Sequence, residues 1–310
     1  MARIREQVGK VFLGQEQVLE QILGAFLAGG HVLLEGNPGL GKTHLVLSLA
    51  RTFGGEFRRI QFTPDLMPSD VTGHTLYDMA AQQFRVRRGP VFCNLLLADE
   101  INRAPAKTQA ALLEVMQERQ ITIDGETFAL EPPFMTLATQ NPIEQEGTYP
   151  LPEAQLDRFL MKILIGYPRP EIEEAIVTRV TGSGGESVDP LQEIEKVCSP
   201  EEINQARANL ALVKIVPEVV AYAVAIVRAT REANGISLGA GPRGAISLVS
   251  IAKANALLAG RGYVIPDDIK MATRPVLRHR LALAPEVAIS GQTLDESIDA
   301  VVETIPAPRS

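Results

Sequence analysis

Short apolar runs alternate with helix-like patterns over the first half of the chain. Five of the runs have the length and the polar flanks of buried strands in a parallel sheet. These predicted strands cover residues 31–35, 57–62, 94–98, 134–139 and 159–165. Between them, residues 43–53 and 108–119 carry apolar side chains at helical spacing. The pattern predicts an α/β fold in which helices sandwich a five-stranded parallel sheet.

Two prolines, Pro168 and Pro170, mark the point at which this alternation stops. Beyond them the sequence predicts helices only, each beginning at or near a proline, which suits the first turn of a helix. The predicted helices cover residues 171–180, 200–212, 217–232, 242–258 and 266–277. We therefore predict two domains, an α/β domain over residues 1–166 and an all-α domain over residues 167–310.

The composition supports two domains and disfavours several classes of protein. With 310 residues, the chain is about twice as long as a typical domain. Its net charge of −7 disfavours a protein that holds nucleic acid by bulk positive charge. The N-terminus lacks the apolar core of a signal peptide, and the longest apolar run, residues 219–227, is about half a membrane span. The two cysteines have no metal-binding or redox spacing, so we expect a soluble cytoplasmic protein without a membrane span.

A glycine-rich segment between the first strand and the next helix matches the phosphate-loop pattern of glycine, four residues, then Gly-Lys-Thr. Glycines let backbone N–H groups approach phosphate oxygens, and the helix that begins there adds the positive end of its dipole. We expect Lys42 to reach the β- and γ-phosphates of a nucleotide and the Thr43 hydroxyl to hold Mg²⁺. The predicted nucleotide-binding residues of this loop are Asn37, Pro38, Gly39, Leu40, Gly41, Lys42 and Thr43. A plain glycine turn is the alternative, which the flanking strand and helix disfavour.

Acidic and polar residues follow two other predicted strands. Asp99 and Glu100 end the third strand, at the sheet edge where open α/β folds bind ligands. We expect Asp99 to bind Mg²⁺ through water and Glu100 to act as general base on an attacking water. An acidic pair after a strand is more often a helix cap, but the upstream phosphate loop favours catalysis. Asn141 follows the fourth strand, and its spacing suits a contact with the γ-phosphate and a turn before proline equally well.

Together these motifs resemble the AAA+ ATPases, and within them the MoxR family. The resemblance rests on the segments GNPGLGKT (36–43), GPVFCNLLLADEINRAPAKTQAALLEVMQE (89–118), ATQNP (138–142), LPEAQLDRF (151–159) and RPVLRHR (274–280). It covers almost the whole chain. It implies a P-loop NTPase-type α/β domain followed by an all-α helical lid domain, with ATP and Mg²⁺ between the two. It also implies a homo-oligomer, expected to be a hexameric ring.

The resemblance assigns roles that spacing alone does not show. Asn141 takes the position of the sensor-1 polar residue. Arg158 takes the position of the arginine finger, which reaches the γ-phosphate bound to a neighbouring subunit. A cation that arrives only on assembly would make hydrolysis depend on oligomerisation. The alternative for Arg158 is a surface ion pair with Asp157 or Glu153.

Two further positions take their roles from the family alone. Arg243 matches the sensor-2 arginine at the start of a lid helix, where it would contact the same nucleotide. The family often has serine and alanine in place of Gly241 and Gly244, so this match is weaker than the others. Residues 12–15, which include Gly14, resemble the segment that lies against the adenine. Simple helix packing by the phenylalanine of that segment is an equal alternative.

Two segments resemble parts that point toward a central pore or a partner in this clade. Residues 120–130 carry Asp124-Gly125 between apolar residues, which predicts a β-hairpin. This hairpin resembles the one that precedes the sensor-1 strand in the clade. Residues 70–88 resemble an insert within the second helix of the domain. A plain edge hairpin is the alternative reading.

The resemblance implies an ATPase that remodels or matures a protein partner in a chaperone-like way. Typical partners carry a von Willebrand factor A-type domain, and cofactor insertion is a typical outcome. One alternative is a nucleotide-gated scaffold that does little mechanical work, which the combination of Glu100, Asn141 and Arg158 disfavours. A nucleic-acid motor is the other alternative, and the negative net charge disfavours it.

Overall fold

A computed structural model describes residues 1–141, 147–181 and 189–308 of the chain. In that part of the chain, the strands are β1 (Val32–Gly36), β2 (Phe57–Gln61), β3 (Gly73–Asp78), β4 (Gln83–Arg88), β5 (Leu95–Asp99), β6 (Gln120–Ile123), β7 (Glu126–Ala129), β8 (Met135–Gln140), β9 (Met161–Ile165), β10 (Ile236–Leu238) and β11 (Ala282–Leu283). The α-helices are α1 (Ala2–Val11), α2 (Glu16–Ala28), α3 (Lys42–Phe53), α4 (Pro68–Thr72), α5 (Ala106–Glu118), α6 (Glu153–Leu156), α7 (Pro170–Thr181), α8 (Pro200–Ala208), α9 (Pro217–Ala229), α10 (Pro242–Leu258), α11 (Pro266–Leu277), α12 (Pro285–Ile289) and α13 (Leu294–Thr304).

The chain forms two compact units, and each of them is discontinuous in sequence. The first comprises Met1–Leu23, His31–Leu151 and Leu164–Asn204, and the second comprises Gly24–Gly30, Pro152–Ile163 and Gln205–Ser310. This division differs from the single boundary expected after residue 166. Residues beyond that point remain with the first unit because they bond to it: the N–H groups of Val197 and Cys198 both donate to the Thr52 carbonyl, at 2.7 and 3.2 Å.

Five strands form a parallel sheet in the order β2-β5-β8-β1-β9, as the apolar runs predict. Residues Leu95 to Ala98 of β5 are fully buried, which explains the uninterrupted apolar run at this central strand. In register, Glu35 pairs with Gln140 and Ala98 pairs with Ala138. The carboxyl ends of β1, β5 and β8 therefore meet at one edge of the sheet, and the predicted α/β fold is confirmed.

Glycines set both ends of helix α3, which follows β1. Gly41 at its N-cap and Gly54 at its C-cap have φ values of 75° and 68°, in the left-handed region that favours glycine. Leu45, Leu49 and Phe53 lie on one face of this helix and are fully buried. Packing of that face fixes the helix, and so fixes the loop that precedes it.

Two antiparallel hairpins extend from the first unit. Strands β6 and β7 pair around Asp124 and Gly125, whose φ values of 49° and 88° suit a tight two-residue turn, and the predicted hairpin is confirmed. Strands β3 and β4 form a second hairpin within the segment expected to be a helix insert. There the side chains of Tyr77 and Phe84 pack edge to face, with ring centroids 5.2 Å apart.

Within the described residues the second unit is mainly helical, with part of β9 and one small sheet of its own. Helices α9, α10, α11 and α13 pack on one another, and α9 buries Val219, Tyr222 and Ile226. The expectation of helices only is wrong in detail, because β10 and β11 pair antiparallel. Each strand is too short to show a period in the sequence, and the pairing joins segments about 45 residues apart. Within the described residues, no helix has both the length and the apolar character needed to cross a bilayer.

Candidate nucleotide-binding site

An open cleft of about 530 Å³ lies where the carboxyl ends of the central strands meet. It is lined by Pro38, Gly39, Leu40, Gly41, Lys42, Thr43, His44, Arg59, Gln61, Asp99, Glu100, Thr139 and Asn141. The structure thus brings most of the loop residues, the acidic pair and Asn141 into one place. Parallel strands make this possible because their ends share one edge of the sheet.

The backbone conformation of the phosphate loop favours glycine at several positions. Gly39 and Gly41 adopt φ values of 84° and 75°. A Cβ atom on Gly36 would lie 2.5 Å from the backbone oxygen of Ile165, whereas one on Gly39 would meet no atom within 4 Å. No side chain caps the N-terminus of α3. The first N–H groups of that helix are therefore suited to an anion.

Lys42 is the cation of the loop. Its Nζ atom donates a hydrogen bond of 2.7 Å to the Gly36 carbonyl. Burial lowers the pKa of Lys42, and the nearby carboxylates of Asp99, Glu100 and Glu35 oppose that effect. A partly buried ammonium gains more from a phosphate than an exposed one does, because less water screens the interaction.

Both carboxylate oxygens of Asp99 already have donors. The Thr139 hydroxyl donates to Oδ1 at 2.6 Å, and the Arg59 guanidinium donates to Oδ2 at 2.6 Å through Nη2. Arg59 comes from β2, whose Gln61 stands opposite Asp99 in register. These two donors hold the aspartate in one orientation at the floor of the cleft.

Glu100 is held by its backbone and by its side chain. Its φ and ψ values of 55° and 51° are left-handed, which costs a non-glycine residue about 1–2 kcal/mol. Its N–H donates to the Thr139 hydroxyl at 2.8 Å. Its Oε2 accepts from Gln61 Nε2 at 2.7 Å and lies 3.2 Å from Arg103 Nε. Strain of this kind persists only where neighbours enforce it, and it is common at functional sites.

The donors around the cleft suit Mg²⁺. Thr43 offers a hydroxyl and Asp99 a carboxylate, and hard cations prefer such oxygen ligands. Among the described residues, no group of three or more His, Cys, Asp or Glu side chains is arranged to hold a metal ion. Mg²⁺ needs no such cage, because it commonly keeps water and binds through one or two carboxylates together with substrate phosphates.

Two of the predicted binding residues in the first unit lie outside the lining of the cleft. Asn37 donates from Nδ2 to the Tyr167 hydroxyl at 2.9 Å. Gly14 has a φ of 70°, and a Cβ atom there would lie 2.7 Å from Ile172 Cγ2. The ring of Phe12 is buried and lies 3.9 Å from the position of a Cβ on Gly41. The segment therefore packs beside the loop, and its contact with adenine stays a prediction.

The two predicted arginines belong to the second unit. Arg158 follows α6 and is partly exposed, and Arg243 lies in the first turn of α10. The Asp157 carboxylate contacts Arg280 at 2.7 Å and Arg243 at 3.5 Å. Among the described residues, Arg158 forms no ion pair of its own, so neither alternative surface pair, with Asp157 or with Glu153, is seen. The roles of both arginines stay predictions.

Sequence reasoning missed the side chains that hold the acidic pair. Arg59 and Gln61 are two residues apart on β2, so their side chains project from the same side of the strand. The sequence signal that could have found them is a pair of polar residues, two positions apart, within a predicted strand. Thr139 lies in the ATQNP segment, and its hydroxyl links Asp99 to the backbone of Glu100.

Comparisons with known proteins identify the family of this chain. The model of the ATPase family associated with various cellular activities (AAA) matches residues 31–161, and that of the AAA lid domain matches residues 228–305. Chaperone MoxR1 of Mycobacterium tuberculosis is 44% identical over 312 residues, which cover 98% of this chain and 81% of that protein. Protein MoxR of Methylorubrum extorquens is 34% identical over 329 residues, which cover 99% and 95%.

A solved structure of a Cytophaga hutchinsonii protein shares the fold over the whole chain. It is 42% identical, with a TM-score of 0.91 over 99% of this chain and 94% of that one. The uncharacterized protein YeaC of Bacillus subtilis is 44% identical over 303 residues, which cover 98% of this chain and 93% of that protein. Full-length similarity at this level shows common membership, and the chain therefore belongs to the MoxR family of AAA+ ATPases.

Proposed function

We propose that the protein binds ATP with Mg²⁺ and hydrolyses it to ADP and phosphate in order to remodel or mature a protein partner. One observation carries the proposal: the loop, the acidic pair and Asn141 line a single cleft at the carboxyl edge of the sheet. A strand-to-helix loop alone would suit many nucleotide-binding proteins. The carboxylate of Glu100 beside it adds a group that can activate water.

The loop binds the phosphates through its backbone and one side chain. The uncapped N–H groups at the start of α3 donate to phosphate oxygens, and the dipole of the helix favours the negative charge. Lys42 supplies a cation beside them, and its hydrogen bond to the Gly36 carbonyl keeps the ammonium group next to the loop. Thr43 and Asp99 would hold Mg²⁺, which supplies neutralising charge at the β- and γ-phosphates when it is bound.

Glu100 acts as the general base. As a water oxygen bonds to the γ-phosphorus, the bond from that phosphorus to the bridging oxygen of ADP breaks, and the water proton passes to the Glu100 carboxylate. Gln61 and Arg103 occupy Oε2, so Oε1 is the oxygen that we assign to the water. Asn141 lines the same cleft, and we assign it to the γ-phosphate or to that water.

Assembly and the client protein complete the proposal. We assign Arg158 to the γ-phosphate of a neighbouring subunit and Arg243 to the sensor-2 role, in a ring that we expect to be hexameric. The printed name of the Mycobacterium tuberculosis relative supports a chaperone-like role. A partner with a von Willebrand factor A-type domain, cofactor insertion into it and a cytoplasmic location are the finer parts of the proposal.

The decisive experiment compares Glu100→Gln with the wild-type protein. We expect the variant to bind Mg·ATP in calorimetry and to release no phosphate, because the amide cannot accept the proton. Glu114→Gln, an exposed substitution of the same chemistry on α5, is the matched control and should keep full turnover. Turnover retained by Glu100→Gln would remove this residue as the base, and a wild-type protein that binds no Mg·ATP would overturn the whole proposal.

Three measurements test this function against its alternatives. Phosphate release per subunit should rise with protein concentration, because the finger arrives from another copy. A full effect on the partner with a non-hydrolysable ATP analogue would instead indicate a scaffold. Salt-sensitive single-strand binding with ATPase activity stimulated by DNA would indicate a nucleic-acid motor.

A further inference from the structure

Arg280 is a buried cation in the second unit, with its side chain only 2% exposed. Burying a guanidinium is costly unless carboxylates and carbonyls satisfy its donors. Here Nε donates to Asp157 Oδ1 at 2.7 Å, Nη2 donates to the Phe159 carbonyl at 2.7 Å, and Nη1 donates to the Leu160 carbonyl at 3.2 Å. Three of its acceptors therefore come from one short segment, residues 157–160.

That segment contains Arg158 at its centre. The residues on both sides of Arg158 are fixed by the same guanidinium, through the Asp157 carboxylate and the Phe159 carbonyl. His279 adds a hydrogen bond of 3.0 Å from Nε2 to the Phe159 carbonyl, and Phe159 itself is fully buried. In the described part of the chain, Arg158 has no side-chain hydrogen bond or ion pair of its own. Its position is consequently set by its neighbours.

The Asp157 carboxylate also contacts Arg243, the other arginine that is predicted to contact the nucleotide. Its Oδ1 accepts from Arg280, and its Oδ2 lies 3.5 Å from Arg243 Nη1. Arg243 Nη1 is also 3.4 Å from the Asp157 carbonyl. One carboxylate thus lies between the buried Arg280 and the exposed Arg243, directly before Arg158 in the chain.

We propose that Arg280 and Asp157 are positioning residues that set the direction of Arg158 and tie it to Arg243. The inference rests on the proposed function, in which Arg158 stabilises charge on the nucleotide of a neighbouring subunit. A turn held by a buried ion pair keeps the finger preorganised, and preorganised charge is worth more in the transition state than mobile charge. A displacement of about 1 Å can cost about 100-fold in rate.

Mixed assemblies test this without requiring each variant to hydrolyse ATP. Wild-type protein is combined with a large excess of a Glu100→Gln subunit, which cannot turn over but supplies its own Arg158 to a neighbour. The added subunit carries no further change, or Arg158→Ala, or Asp157→Asn, or Arg280→Lys. Phosphate release per wild-type subunit is measured against ATP concentration. Size-exclusion chromatography and circular dichroism record assembly and folding.

We expect Asp157→Asn and Arg280→Lys partners to lower kcat about 100-fold, as Arg158→Ala partners do, with KM for ATP little changed. Arg274→Lys is the matched control, because Arg274 lies on α11 and pairs at the surface with Asp299, and it should leave the rate unchanged. Arg280→Lys keeps the buried positive charge, so it remains informative if Asp157→Asn, which removes the negative charge, fails to fold. A full rate with folded Asp157→Asn and Arg280→Lys partners overturns the positioning role alone. A full rate with Arg158→Ala partners overturns both this role and the trans-acting arginine.

Discussion

Gly36 ends β1 beside the neighbouring strand β9, and the substitution Gly36→Ala tests how closely the two strands approach. An added Cβ would lie 2.5 Å from the Ile165 carbonyl oxygen and 3.1 Å from Ile165 Cβ. Real Cβ atoms essentially never approach another atom to 2.5 Å, and the obstacle at that distance is backbone rather than the end of a flexible side chain. The strand must therefore move, and overpacking of this kind costs about 1–3 kcal/mol.

Part of this cost is offset, because alanine in a strand loses about 0.5–1 kcal/mol less conformational entropy than glycine does. From the midpoints of the two ranges we expect Gly36→Ala to lower the free energy of unfolding by about 1 kcal/mol, and Tm by about 2–4 °C. Urea denaturation followed by circular dichroism measures the change, since the chain has no tryptophan to serve as a fluorescent probe.

Gly9→Ala makes the same chemical change in helix α1, where no atom lies within 4 Å of the added Cβ. Alanine is favoured over glycine inside a helix, so this variant should be more stable than wild type by up to about 1 kcal/mol. The two variants are therefore expected to shift stability in opposite directions. Equal shifts, or a Gly36→Ala protein as stable as wild type, would refute the assigned contact between β1 and β9.

Three other predictions concern the general base, a buried histidine and the two thiols. Gln61→Leu removes a hydrogen bond that orients the proposed general base, so phosphate release should fall; an unchanged rate would show that the bond does not orient it. Burial holds the pKa of His279 well below 6.5, so the unfolded chain binds the extra proton and stability falls by about 1.4 kcal/mol per pH unit below about pH 6.5. Urea denaturation at pH values from 7.5 to 5.0 measures how the free energy of unfolding depends on pH. The slope should be absent in His279→Gln and present in the exposed control His74→Gln. The same slope in both variants would contradict the burial argument. Burial raises the pKa of the Cys93 thiol to about 12, so iodoacetamide at pH 8 should modify the less buried Cys198 first. Mass spectrometry measures the two rates of modification. Equal rates would contradict the prediction.

The main strands could be predicted because burial of a strand requires consecutive apolar residues in the sequence. Residues Leu95 to Ala98 are apolar without interruption since β5 is covered on both faces, and the predicted boundaries of this strand differ from the observed ones by one residue. The turn at Asp124-Gly125 was equally local, because two left-handed residues in succession favour this pair.

The sequence signal of other elements was weaker or was not used. Strands β10 and β11 have three and two residues, too few for any alternation to show. Helix α13 did carry a usable signal, since Thr293 and Glu296 form a capping box in which each side chain bonds the backbone of the other. The division into units could not be read from prolines, because it depends on which distant segments bond to one another.

By itself, the sequence determined the class of fold and identified the residues that we propose bind phosphate and activate water. These depend on glycine conformations, strand ends and a helix start, which are set by residues close together in the chain. Only the tertiary structure decided which side chains hold those groups. Arg59 and Thr139 reach Asp99 from 40 positions away on either side, on the neighbouring strands β2 and β8. Hydrogen bonds are short and directional, so no local pattern can specify a donor that arrives from another strand.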